Sequence, residues 1–249
     1  MLIKEVDPNR ASPDYRVQAA AHFTIQSGLE FENSLWTSKT IQSGIWSCDR
    51  GLAVPASVKR LPNYKKAARS SGERGWEVAV RRSGGGCVPQ GRGIYNAYLF
   101  VPNSAVTIRH AYQAFASVIE QAVASIGLLC ERHSPFKTWC AGDYDLCLES
   151  RKFCGISQRR QFGTSQPKIL IHAAILVDAD LDQAFNAMRT FLREAGEPTS
   201  PDRRQAITVL EALGGNSRLA RTFLYDLPRR LAVLHARWPD EAASNSGPS

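Results

Sequence analysis

The chain is predicted to be a mixed α+β protein, with a mixed or antiparallel sheet flanked by helices. Three observations predict this class. Trp76, Val78 and Val80 alternate with Glu77, Ala79 and Arg81, and a second apolar run, Tyr95 to Pro102, follows across a glycine-rich segment. From Ile108 to Ile126 the apolar residues recur at three- and four-residue steps on one continuous helical face. Strand-like runs at Tyr144–Glu149, Lys152–Gln158 and Lys168–Val177 then lead into a second amphipathic segment, Leu181 to Ala195. Together these make a mixed α+β core with a small helical piece at the C-terminal side.

In chain order, the first fifteen residues are polar with two prolines and read as a loose arm. Arg16 to Trp36 reads as a helix interrupted by Gly28, and Gly44 to Val54 as one short strand ending at Pro55. Lys59 to Gly75 is basic and rich in Ser and Gly, so a loop is expected. Strand, glycine loop and strand follow, then the helix from Ile108 that Gly127 ends. Next comes a hairpin with Ser150-Arg151 as its turn, which would set Cys147 opposite Cys154. Ser200, with Pro201 behind it, is expected to cap a helix. Two or three short helices, broken near Gly214-Gly215 and Pro228, then run to Trp238, and the last ten residues read as disordered. The resulting organisation is an arm over 1–15, a mixed α+β domain over 16–196, a helical segment over 197–239 and a tail over 240–249.

The 249 residues are 43% hydrophobic and 22% charged, which excludes collagen-like and wholly disordered chains. No apolar run approaches the roughly 18 residues that span a bilayer, and the opening residues lack the apolar core of a signal peptide. Six cysteines in this length are not a disulfide scaffold. A soluble, reduced, cytoplasmic protein is expected. Its formal charge of +8 favours acidic partners. The basic residues come as scattered pairs, so no nucleic-acid motif supports a nucleic-acid partner, and no membrane partner is expected.

Four segments carry chemistry. Arg81-Arg82-Ser83-Gly84-Gly85-Gly86 follows a strand; its glycines let backbone N–H groups approach a ligand and its arginines can hold an anion, although a glycine triplet taken alone is more often a flexible hairpin with solvated arginines. Cys140 stands between a polar linker and a strand, where a cysteine is either a nucleophile or a small buried apolar residue. Lys152 leads into an apolar strand beside Gly155 and is either solvated at a turn or aimed into a pocket. His172, inside an apolar strand, is more often a hydrogen-bonded core residue than a catalyst. Cys140, Cys147 and Cys154 are spaced seven apart, but without a C-x-x-C pair no metal is expected.

Taken in order, these segments resemble the biotin/lipoate protein ligase superfamily, which includes lipoate–protein ligase A and the lipoyl(octanoyl)transferases. Arg81 to Gly86 resembles the family's Arg-Arg-x-Gly-Gly-Gly loop, and Gly91 to Asn96 its downstream Gly…Asn element. Ser150-Arg-Lys152-Phe-Cys-Gly155-Ile-Ser-Gln158 resembles its Gly-Lys-Lys-hydrophobic-Ala-Gly-x-Ala-Gln segment, His172-Ala173 its His-Gly/Ala turn, and Arg204 to Leu210 its C-terminal helix start. Trp139-Cys140-Ala-Gly-Asp-Tyr-Asp145-Leu is similar to the Phe-Cys-x-Gly-x-Tyr-Asp-Leu of the cysteine-dependent octanoyltransferases and amidotransferases. The matches span about Trp46 to Leu213. Ser150 departs from the family glycine, Cys154 from its alanine, and Asp145 stands where some members have Asn.

The resemblance implies a class II synthetase-like catalytic domain with a short helical extension. It implies an acyltransferase of protein lipoylation: Cys140 takes an octanoyl or lipoyl group as a thioester and passes it to the target lysine of a lipoyl domain. Lys152 is expected beside the thiol as its cation and proton acceptor, N–H groups near Gly155 and Ile156 as oxyanion donors, and Gly84 to Gly86 as the wall of an acyl tunnel. Arg81, Arg82, Ser83, Asn96, Asp145, Ser157, Gln158 and His172 are expected to bind substrate. The donor and acceptor would be acyl carrier protein or a lipoyl domain such as H-protein, acidic carriers that a basic enzyme attracts. No cofactor is needed on this reading. The alternative implied is an ATP- and Mg-dependent lipoate–protein ligase, with Cys140 a bystander; a silent carrier-binding protein is a further one.

Overall fold

Seven strands form the main sheet of the protein. The structure, a computed structural model, describes residues 21–243 apart from 136, 163–166 and 199. The expected arm over 1–15, the first turn of the helix expected from Arg16 and residues 244–249 of the expected tail lie outside the described residues. The strands in chain order are β1 (Ala21–Phe23), β2 (Gln42–Cys48), β3 (Gly51–Pro55), β4 (Glu77–Arg81), β5 (Val88–Gln90), β6 (Ile94–Val101), β7 (Glu131–Arg132), β8 (Leu146–Leu148), β9 (Arg151–Gln161) and β10 (Lys168–Leu176). The main sheet is ordered β1-β2-β6-β10-β9-β8-β7 and a small second sheet β4-β3-β5. All pairings are antiparallel except β1 with β2 and β3 with β4. The α+β class and the mixed sheet flanked by helices are as the sequence predicts.

Both faces of the main sheet are covered, which is why β10 is a nearly unbroken apolar run rather than an alternating one. One face packs α4 (Ile108–Ala124) and α7 (Ser217–Ala243) through Leu99, Val101, Phe115, Ile119, Ile169, Ile171, Phe223, Leu227 and Trp238. The opposite face carries α1 (Ile25–Ser34) and the small sheet, backed by α3 (Tyr64–Glu73) and α5 (Leu181–Ala195). Two helices match their sequence pattern closely because local chemistry sets both ends. The Thr107 side chain caps α4 by accepting from His110 N, and Asp180 caps α5, which ends at Gly196 in the left-handed region at φ 96°.

Elsewhere tertiary contacts override local pattern. The helix expected from Arg16 starts at Ile25, where Thr24 accepts from Ser27 N, and Ala21–Phe23 pair with β2 instead. The single strand expected over Gly44–Val54 is two strands that part at Asp49-Arg50 into different sheets. The loop expected from Lys59 to Gly75 contains α3 and the end of α2 (Ala56–Lys59). The buried face of α3 consists of Ala67 and Ser71, so no apolar stripe announces it, and docking against α5 stabilises it.

The hairpin turn is Glu149-Ser150, both with positive φ (49° and 59°), as a two-residue primed turn requires. Cys147 therefore faces Lys152, while Cys154 faces Leu146. No helix begins at Pro201; helix α6 (Val209–Ala212) begins behind Thr208, whose hydroxyl and Glu211 form a capping box. Beyond it α7 runs unbroken through Pro228 to Ala243, longer than the short helices expected, because Phe223, Leu227, Leu231 and Trp238 bury one stripe of it.

Candidate functional site

Ladder register builds the floor of a cavity. One row straight across the main sheet reads Trp46, Asn96, Ala174, Gly155, from β2 through β6 and β10 to β9. All four line the cavity, and the neighbouring row contributes His172 and Ser157. Small residues at Ala174 and Gly155 leave a trough on a sheet that is otherwise filled. Ile25, Leu29 and Glu32 of α1 and Ala53, Arg81 and Val88 of the small sheet roof it, and Trp139 and Cys140 stand at the β9 end. The trough spans three strand spacings, about 14 Å, and the cavity holds about 580 Å³ counting its open mouth. Its lining is mainly apolar.

Cys140 sits at φ 43°, in the left-handed region. Its Sγ accepts from Gly86 N at 3.2 Å and from Arg81 Nη2 at 3.4 Å. Arg81 is buried and spread across its own loop, donating through Nη1 to Ser83 Oγ (2.6 Å) and the Gly84 carbonyl and through Nη2 to the Gly86 carbonyl at 2.8 Å. The glycine loop is thereby moulded around the sulfur. Burial pushes the thiols of Cys48, Cys130 and Cys147 up to about 12, and those of Cys87 and Cys154 up as well. These five thiols are protonated at neutral pH and poor nucleophiles.

Lys152 is fully buried. Its Nζ lies 2.7 Å from Asp145 Oδ1 and donates to the carbonyls of Trp139 (2.8 Å) and Cys140 (2.7 Å). Two hydrogen bonds and one ion pair engage the ammonium. Lys152 thus touches the backbone of Cys140, while Arg81 touches its sulfur. Burial pushes the Asp145 carboxyl up, against Lys152, Ser134 Oγ and the Gly142 N–H, which hold it. The Lys152–Asp145 pair clips the 139–145 loop to β9.

Farther along the trough, Glu32 Oε2 lies 3.1 Å from His172 Nδ1. Burial pushes the Glu32 carboxyl up, but His172, with Arg81 and Arg159 behind it, outweighs this and holds it below the usual carboxylate range. Gln90 and Asn96 exchange two amide hydrogen bonds (2.8 and 3.2 Å), and Cys48 donates to Gln90 Oε1 at 3.3 Å. These polar groups satisfy one another, so the trough presents few free donors.

Of the residues singled out in the sequence, the structure gathers Arg81, Asn96, Cys140, Gly155, Ile156, Ser157 and His172 around the cavity. Lys152 and Asp145 lie directly behind Cys140. Gly85 and Gly86 lie against Cys140 rather than along the trough, and a Cβ on Gly84 would meet nothing within 4 Å. Arg82 is exposed, and Gln158 is not among the cavity-lining residues. Glu32, Trp46, Gln90 and Trp139 line the cavity without having been singled out. Glu32 carried a legible signal: it falls seven residues after Ile25, a charge on the apolar stripe of its helix. Among the described residues no group of three or more His, Cys, Asp or Glu side chains comes together as a metal site, and no helix is long and apolar enough to cross a membrane.

The chain is similar to several proteins of curated name. It is 32% identical over 120 residues to the octanoyl-GcvH:protein N-octanoyltransferase of Geobacillus kaustophilus (strain HTA426), covering 47% of this chain and 42% of that protein. Identity is 26% over 193 residues to the enzyme of the same name from Bacillus velezensis, covering 76% and 66%. It is 24% over 154 residues to the lipoyl-GcvH:protein N-lipoyltransferase of Listeria monocytogenes, covering 61% and 54%. The matches thus span 42% to 66% of the length of these relatives. Among solved structures it shares the fold of a lipoate-protein ligase A bound with ATP (TM-score 0.60, 13% identity, 89% of this chain and 98% of that one). It also shares that of protein Ta0514 from T. acidophilum with bound lipoic acid (TM-score 0.56, 14% identity, 89% and 95%). The family model of the lipoyl protein ligase A/B catalytic domain matches residues 63–221, which contain Arg81, Cys140, Lys152 and His172, and the chain belongs to that family.

Proposed function

We propose that the protein is an acyltransferase of protein lipoylation that carries an octanoyl or lipoyl group on Cys140 between two lipoyl-type carrier domains. One observation carries the reading: the Cys140 sulfur, held by two N–H donors, stands at the end of a narrow apolar trough. In the first half-reaction the thiolate attacks the acyl carbonyl of the donor. A carbon–sulfur bond forms, the bond to the donor's nitrogen or sulfur breaks, and the leaving group takes a proton. In the second, the neutral amine of the acceptor lysine attacks the thioester, an amide forms and the thiolate returns. Arg81 and the Gly86 N–H stabilise negative charge on the sulfur. Lys152 and Asp145 hold the loop so that Cys140 keeps its left-handed backbone; the proton that the attacking amine loses passes to solvent at the open mouth of the cavity, the same pool that protonates the leaving group in the first half-reaction. N–H groups near Gly155 and Ile156 serve the oxyanion. An amide exchanged for an amide needs no ATP. The names of the relatives, which act on octanoyl- or lipoyl-GcvH, support H-protein as one carrier.

The test is intact-protein mass spectrometry after incubation with octanoylated H-protein and no ATP. An octanoyl adduct is expected that hydroxylamine removes and Cys140→Ala abolishes. If no adduct forms, and a carrier lysine is modified only with ATP, Mg and free lipoate, the protein is a lipoate–protein ligase and Cys140 a bystander.

A further inference from the structure

The segment 56–72 contains Lys59, Arg60, Lys65, Lys66 and Arg69 and no Asp or Glu. All five cations are exposed, and none has an ion-pair partner among the described residues. In α3 the buried positions are Ala67 and Ser71, so the outward side of this helix is cationic. Elsewhere Arg74 is paired with Glu194, Arg132 with Glu120, Arg151 with Glu149, Arg203 with Asp182 and Glu211, Arg204 with Asp202 and Arg230 with Asp226, while exposed Arg92, Arg109, Arg218, Arg221 and Arg237 lie scattered along the chain. What sets this stretch apart is density: five exposed cations fall between Lys59 and Arg69 with no acidic residue among them.

Its position follows from the topology. Strands β3 and β4 run parallel with Pro55 opposite Arg81, so the chain leaves both strands at the same end of the small sheet. From β4 it enters the Arg82–Gly86 loop that wraps the Cys140 sulfur. From β3 it enters α2, whose Val58 belongs to the apolar cluster that Cys140 packs against, and then turns into the N-terminal end of α3. The C-terminal end of α5 joins this edge, with Asn63 N donating to the Ala195 carbonyl, and adds exposed Arg189 and Arg193 without carboxylate partners. Exposed Arg82 lies on the sulfur's own loop.

We infer that the face formed by α2, the start of α3 and the end of α5 is the docking surface for the acidic carrier domain that exchanges its acyl group with Cys140. The inference rests on the transferase reading above. A macromolecule that offers an acyl arm to the sulfur must sit beside its opening, and the surface beside it is cationic. Charge there favours a partner whose contact face is acidic, raising the encounter rate and fixing orientation. The segment exposes no large apolar side chain of the kind that anchors an interfacial helix in lipid, and its one aromatic, Tyr64, is half-buried edge-to-face against Phe191, so an acidic protein is favoured over membrane or nucleic acid.

The experiment compares wild type with Lys65→Glu/Lys66→Glu, and with the milder Lys65→Gln/Lys66→Gln in case the first folds poorly. Acylation of Cys140 is timed with octanoylated H-protein and with octanoyl-N-acetylcysteamine thioester, a small neutral donor, across a salt series. The charge reversal is expected to lower kcat/KM for the protein donor by on the order of tenfold at low salt and flatten its salt dependence, leaving the small donor's rate unchanged. An unchanged rate with the protein donor, or an equal loss with both donors, would overturn the proposal. If neither donor acylates wild type, the cysteine reading fails by itself. Fluorescence anisotropy with labelled apo-H-protein then decides the docking surface, with binding lost in the variants supporting it and binding retained overturning it. Tighter wild-type binding to duplex DNA or to phosphatidylserine vesicles than to H-protein, lost in the same variants, assigns the face to that partner instead and overturns the proposal.

Discussion

Gly85 stands at φ 97°, and a Cβ there would lie 2.6 Å from Cys140 Sγ and 3.0 Å from Arg81 Nη2. A side chain at this position is strained in the backbone and collides with the two groups that the proposed chemistry uses. Gly85→Ala is therefore expected to displace the sulfur and reduce the rate of Cys140 acylation by more than tenfold. The fold should survive at a cost of about 1–2 kcal/mol, read by a melting curve alongside the acylation time course. Acylation at the wild-type rate would mean that the loop does not shape the nucleophile. The glycine triplet was legible as a close backbone approach. That it closes on a sulfur rather than along the acyl trough was not, because its partner lies 54 residues away.

At the scale of elements, caps and turns decide more than periodicity does. Thr208 is buried and accepts from Glu211 N at 3.0 Å while Glu211 Oε2 accepts from Thr208 N at 2.7 Å. This box starts the single turn of α6 and fixes the approach of the chain to β9, where Ile207 N donates to the Lys152 carbonyl. Thr208→Ala is expected to cost about 1 kcal/mol, measured by urea denaturation; no change in midpoint would show that the turn is held by packing alone. The converse case is α3. Its sequence, with small residues on the buried side and lysines on the other, has no apolar stripe, and its helical state rests on contact with α5.

Across the whole molecule, Glu32 and His172 join the roof of the trough to its floor, 140 positions apart in the chain. The Glu32 carboxyl is held below its ordinary value of 4.5. The unfolded chain therefore takes up this proton first as pH falls, and stability rises with pH between the folded value and 4.5. The contribution is complete above that window and lost below it. Glu32→Gln is expected to destabilise the protein near neutral pH by on the order of 1–3 kcal/mol. The gap to wild type should close as pH drops below 4.5 and through the lower folded value, followed by thermal melts across the range. A constant gap would mean that Glu32 contributes shape rather than charge.

Local chemistry in the sequence determined the class of fold, the strand–glycine-loop–strand unit, the extents of α4 and α5 and the strand Lys168–Leu176 at the centre of the main sheet. Each of these is set by residues within a few positions of one another: apolar spacing, a capping hydroxyl, a closing glycine. The ordered series of short segments around Arg81, Cys140, Lys152 and His172 likewise pointed to the family. Only the tertiary structure decided which cation meets the Cys140 sulfur, since Arg81 and Cys140 are 59 residues apart while Lys152, much nearer in sequence, turns to the backbone instead. It also decided the register that lays Trp46, Asn96, Ala174 and Gly155 in one row, and the helix that gathers Lys65, Lys66 and Arg69 on one side. Contacts between distant segments depend on how whole layers pack, and no local pattern in the chain encodes that.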